Sequence, residues 1–128
     1  MKRLSIILVI LWMIVIFYFS SANGEVSTAQ SDIVTNSIIN IFHYNGDITN
    51  LIYIVRKLFH VFEYFVLGIL TYNAYKYHGK KIIIPIMICF IYAITDELHQ
   101  VYISGRNGNI YDVLLDTLAS TLAIIIRK

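Results

Sequence analysis

A chain of 128 residues has room for one domain, over residues 1–128. Its residues are 58% hydrophobic and 14% charged, against about 45–50% and about 25% in soluble domains, so the composition argues against an ordinary water-soluble fold and for an integral membrane protein. The net charge of +2 comes without a basic patch threaded by aromatics, which argues against a nucleic-acid partner, and the single cysteine, Cys89, excludes an internal disulfide.

The first apolar segment, residues 4–19, carries no charge. Lys2 and Arg3 precede it and Ser20-Ser21-Ala22 follow. Two readings stay open there: a retained membrane span, or a secretory signal peptide that is cleaved. Within residues 27–44, Ile33, Val34, Ile38, Ile41 and Phe42 recur at helical spacing, while Ser31, Asp32, Thr35, Asn36 and Asn40 fill much of the other side. This predicts a short helix outside the membrane, lying on its outer surface or capping the bundle. Asn45-Gly46-Asp47 is a turn signal. A helix starting as early as Thr49 leads into the second apolar segment, 58–75, interrupted by His60 and Glu63. The third, 82–103, has Pro85 in its first turn, where a missing N–H does little harm. It also contains Thr95-Asp96-Glu97-Leu98-His99-Gln100. Residues 104–109 form a tight loop, so the third segment and the fourth, 110–126, are antiparallel neighbours. Asp112 and Asp116 lie in the fourth.

Each segment is close to the ~17–25 residues that a helix needs to cross the hydrocarbon. Helix is also the state that satisfies the backbone in lipid. The expected fold is an all-α membrane protein with four transmembrane helices and an extracytoplasmic interfacial helix.

Orientation follows from the basic residues. Lys2, Arg3, Lys76, Lys80, Lys81, Arg127 and Lys128 flank the spans on one side. Placing them inside puts both termini in the cytoplasm. Residues 20–55 have no Lys or Arg but hold Glu25, Asp32 and Asp47, and belong outside. Arg56, Lys57 and Arg106 disobey the rule, and they sit at the outer ends of spans beside the carboxylates. They read as partners of those carboxylates.

At 1.5 Å rise per residue, Glu63 lies about 10 Å below Arg56, Asp96 about 12 Å below Ser104 and Asp116 about 9 Å below Ile110. Three helices thus bring polar groups to one depth, in the outer half of the membrane. Arg56, His60 and Glu63 are spaced i, i+4, i+7 and share a stripe. Asp96, His99 and Gln100 share a second, and Asp112, Asp116 and Ser120 a third. Glu97, about 100° from Asp96 around the helix, faces a different neighbour. Charge at membrane depth costs roughly 2.5–3.5 kcal/mol per residue, and residues kept there usually line a site or a water path. A polar network that glues helices together needs fewer of them.

The runs Ile16-Phe17-Tyr18-Phe19-Ser20-Ser21, Arg56-Lys57-Leu58-Phe59-His60-Val61-Phe62-Glu63-Tyr64 with Leu67-Gly68, Tyr92-Ala93-Ile94-Thr95-Asp96-Glu97-Leu98-His99-Gln100, Gly105-Arg106 and Asp112-Val113-Leu114-Leu115-Asp116-Thr117 resemble the VanZ-like family of small membrane proteins over nearly the whole chain. The Asp-Glu-x-His-Gln run followed by Gly-Arg and Asp is the specific part. Two positions depart from the pattern: Ala22, where a Gln often follows the paired serines, and Ala119, often Gly. The resemblance implies a link to tolerance of teicoplanin-type antibiotics, especially lipidated ones. It supplies no reaction.

Three functional readings follow. In the first, the protein acts at the outer face of the cell membrane and binds or modifies a lipid-linked or membrane-anchored envelope ligand, or a lipoglycopeptide. Its ligand-binding residues would be Arg56, His60, Glu63, Asp96, Glu97, His99, Gln100, Arg106, Asp112 and Asp116, the arginines suiting phosphate or carboxylate. The second is a metal-dependent intramembrane enzyme, with His60, Glu63, Asp96 and His99 holding a divalent ion. Glu97 or Asp116 would then be the catalytic base. The third is a transporter, which the apolar inner half disfavours. The expected location is the cell membrane, with several passes.

Overall fold

The computed structural model describes the backbone of residues 2–22, 24–79 and 81–128, and the side chains on it except those of residues 2, 24–28 and 30. Of the charges used for orientation, Lys2 and Glu25 are among those excepted side chains, and Lys80 lies outside the described residues. Among the described residues there are five α-helices and no strand: α1 (Lys2–Ser20), α2 (Gly24–Phe42), α3 (Ile48–Tyr75), α4 (Ile83–Val101) and α5 (Ile110–Arg127). A single 3₁₀ turn, Lys76–His78, follows α3.

Local chemistry sets the two helix starts nearest the polar constellation. The Asp47 carboxylate accepts the Thr49 N–H at 2.9 Å and caps α3. The Asn109 side chain accepts the Tyr111 N–H at 3.1 Å and caps α5. Such caps contribute about 1 kcal/mol each.

Helix α3 is the hub: it packs on α1, α2, α4 and α5, most extensively on α5. Gly68 makes the α3–α5 approach close, since a Cβ there would run into the main chain of Ser120. Small residues serve helix pairing in this way where backbones must come near each other. Tyr64, Leu67, Cys89, Ala93 and Ala123 fill the interior around that contact. Hydrogen bonds to main-chain carbonyls tie helix α1 to its neighbours: Trp12 Nε1 donates to Glu63 O at 2.9 Å, and Tyr92 Oη donates to Met13 O at 2.6 Å.

Among the described residues, two helical stretches, Arg3–Ser20 and Ile83–Val101, are long and apolar enough to cross a membrane. Four such stretches were expected. Helices α3 and α5 have sufficient length, but α3 carries Arg56, Lys57, His60 and Glu63, and α5 carries Asp112, Asp116 and Arg127. Helix α4 also buries Asp96 and Glu97, so enclosing polar groups does not by itself set it apart from α3 and α5.

Helix α2 turns its small polar side inward. Ser31 and Thr35, one helical turn apart, are buried, whereas Ile33, Ile41 and Phe42 are exposed. The apolar face therefore points away from the bundle. Small hydroxyl side chains let α2 approach α3 closely, and the larger apolar ones remain for the surroundings.

Candidate functional site

The i, i+4, i+7 stripe on α3 lines a cavity of about 380 Å³ with Arg56, His60 and Glu63. Helix α1 contributes Trp12, Val15, Phe19 and Ser20, α2 contributes Ser31, and the α4–α5 loop contributes Arg106. Phe59 and Phe62 complete an apolar wall. Arg106 is aimed here by its loop. Gly105 has φ of 75°, a left-handed conformation that glycine adopts without strain. The Arg106 guanidinium donates through Nη1 to the Ser20 carbonyl at 3.1 Å, which fixes the loop over the end of α1. Burial, and then the like charge of Arg56, push the Arg106 pKa below its ordinary value, although a guanidinium stays charged throughout. Arg56 and Arg106 bring positive charge to a mainly apolar lining that also holds the Glu63 carboxyl.

The polar run on α4 divides among three neighbours. Asp96, 3% exposed, accepts from Tyr64 Oη of α3 at 3.2 Å. Glu97, 4% exposed, turns to the start of α5, where its Oε2 accepts the Asn109 N–H at 2.9 Å. His99 faces α1: its Nε2 lies 3.1 Å from Ser21 Oγ, and its ring stacks on Phe17 at 4.6 Å between centroids. Gln100 is buried.

On α5, Asp112 forms an ion pair with Lys57, and Asp116 is fully buried with its Oδ2 3.8 Å from His60 Nδ1. Among the described residues the group that converges closely enough to share an ion is His60, Glu97 and Asp116, with one donor atom of each within 4.8 Å of the others. Glu63, Asp96 and His99, grouped with His60 as two imidazoles and two carboxylates that could hold an ion, stand outside that cluster. Glu63 lines the cavity, Asp96 meets Tyr64 and His99 meets α1. For the two α4 residues, rotation around the helix accounts for the difference, whereas Glu63 sits nearly a full turn from His60 on α3. Residue 97 projects toward α5, whereas residues 96 and 99 project toward α3 and α1.

Sequence reasoning missed the contribution of α1 and α2 to the cavity wall, and it missed Tyr64. The signal for Tyr64 was its position next to Glu63, since a buried tyrosine hydroxyl usually needs a partner. The signal for α1 was the pair Ser20-Ser21 closing an otherwise apolar helix.

A protein-family model described as VanZ/LLP1 matches residues 5–128. No curated protein and no solved structure matches the chain.

Proposed function

The chain belongs to the VanZ/LLP1 family, and from that premise we propose that it binds the anionic head of a lipid-linked envelope ligand at the outer face of the cell membrane. The observation that carries this reading is the cavity itself. Arg56, Arg106, His60 and Glu63 meet there beside Trp12, Phe19, Phe59 and Phe62. A volume of about 380 Å³ falls in the roughly 300–1,000 Å³ range of small-molecule sites. The aromatic side suits an acyl or prenyl chain, and the arginines suit phosphate or carboxylate by paired hydrogen bonds. By this route the protein alters how lipidated glycopeptides reach their target, and it raises tolerance to teicoplanin-type antibiotics.

The test is binding by the purified chain in detergent. A long-chain alkyl phosphate should bind, and the corresponding neutral alcohol should not. Arg56→Gln and Arg106→Gln should each weaken phosphate binding roughly tenfold to a hundredfold, the worth of one hydrogen bond to a charged group. Equal affinity for the phosphate and the alcohol rejects the reading.

The proposal includes a topology. Helices α1, α3, α4 and α5 span the membrane, α2 lies at the outer interface, and both termini face the cytoplasm. The basic residues at 2, 3, 76, 80, 81, 127 and 128 support it, as does the outward apolar face of α2. Reporter fusions at Asn45 and Asn107 should report an outside location, and a fusion at Gly79 an inside one. An inside signal at Asn107 would move the cavity to the cytoplasmic half and end the envelope reading.

A further inference from the structure

His60, Glu97 and Asp116 come from α3, α4 and α5 and meet with donor atoms within 4.8 Å of one another. Asp116 is fully buried, and neither of its carboxylate oxygens has a hydrogen-bond partner among the described residues. Glu97 uses Oε2 for the Asn109 N–H and leaves Oε1 without a partner. His60 Nδ1 is likewise without one, because 3.8 Å from Asp116 Oδ2 is too long for a hydrogen bond. Lys57, a cation on α3, is engaged with Asp112 instead. Buried charges in proteins are paired or coordinate metals, and this cluster has three converging ligand atoms on three rigid elements.

We infer that His60, Glu97 and Asp116 form a binding site for a divalent transition metal, with zinc and manganese as the fitting ions. One imidazole and two carboxylates combine the ligand types those ions prefer. A tetrahedral shell with bonds of ~2.0–2.2 Å sets ligand atoms ~3.4 Å apart. Side-chain rotation covers the step from the observed spread to that spacing. His60 also lines the cavity, so the ion adds positive charge to the wall shared with Arg56 and Arg106. The inference stands without the ligand-binding reading, as it uses only His60 of the cavity.

The experiment is calorimetric titration of the purified full-length chain, freed of metal by a chelator, with Zn²⁺ and Mn²⁺ separately. At least one of the two should bind saturably at one equivalent and raise the unfolding temperature, as any ligand specific to the folded state does. Glu97→Gln and Asp116→Asn nearly preserve volume. Each should weaken binding at least roughly tenfold, a loss that even supporting residues of metal sites produce. His78→Gln, which changes an exposed imidazole on the 3₁₀ turn after α3, should bind as the wild type does. X-ray absorption on the loaded wild type should show imidazole and oxygen scatterers, a readout that does not depend on any variant folding. No binding of either ion overturns the proposal, as does a shell without imidazole, or affinity unchanged in both folded carboxylate variants. Metal binding by a chain that ignores the alkyl phosphate supports this site and rejects the ligand reading.

Discussion

Gly68→Val should destabilise the protein by about 3 kcal/mol or more, the upper end of the overpacking range, and should lower its unfolding temperature in detergent accordingly. At this position a Cβ meets main-chain atoms of Ser120, with Cα at 2.9 Å and the carbonyl carbon at 3.0 Å. A flexible side chain could rotate away, but a helix backbone moves only as a body. The α3–α5 contact is the most extensive in the bundle, so separating the two helices loosens it along much of its length. Gly68→Ala gives a graded control. Helix propensity returns about 1 kcal/mol relative to glycine, which offsets part of the packing loss and leaves a milder effect. If Gly68→Val unfolds like the wild type, the two helices are not as close as the structure has them. The site would feel the change too, because His60 and Asp116 lie on these same two helices.

Asp96→Asn and Glu63→Gln should separate function from helix adhesion. Each nearly preserves volume and hydrogen-bonding capacity while removing a charge. The asparagine oxygen can still accept from Tyr64 Oη, which reaches Asp96 at 3.2 Å. Both variants should insert, unfold near the wild-type temperature, and abolish whatever tolerance to lipidated glycopeptides the wild type confers on a sensitive host. A purely structural network behaves differently: stability falls together with activity, by roughly 3–5 kcal/mol when a buried pair is broken. Full tolerance in both stable variants would reject the constellation as the seat of function.

Much of this arrangement was legible in the chain, and what was hidden follows one rule. Spacing within a helix fixes which residues share a face. Arg56, His60 and Glu63 therefore read correctly as one stripe, and Glu97 as pointing elsewhere than Asp96. Spacing does not fix which neighbour a face meets. His99 shares a side of α4 with Asp96, yet it ends on Phe17 of α1 and on Ser21 just beyond that helix, whereas Asp96 meets Tyr64 of α3. The same limit applies to α2. Its apolar periodicity was plain, but whether that face turns in or out depends on the partner, and α3 receives Ser31 and Thr35 instead. The shortfall in apolar spans has a related origin. Helices α3 and α5 each carry three charged residues, Arg56, Lys57 and Glu63 on one and Asp112, Asp116 and Arg127 on the other, whereas α4 carries two.

The rim of the cavity has a kinetic consequence. Phe19, Phe59 and Phe62 line it and are also exposed on the flank of the bundle. Under the proposed topology these rings turn the cavity wall toward the lipid, between helices rather than along their axes. In a bilayer, a tailed molecule would arrive by two-dimensional diffusion without leaving the leaflet. Occupancy would then follow the mole fraction of that molecule among the lipids rather than its amount in the surrounding water. Diluting the vesicles at constant lipid composition would leave the bound fraction unchanged, whereas adding inert lipid would lower it.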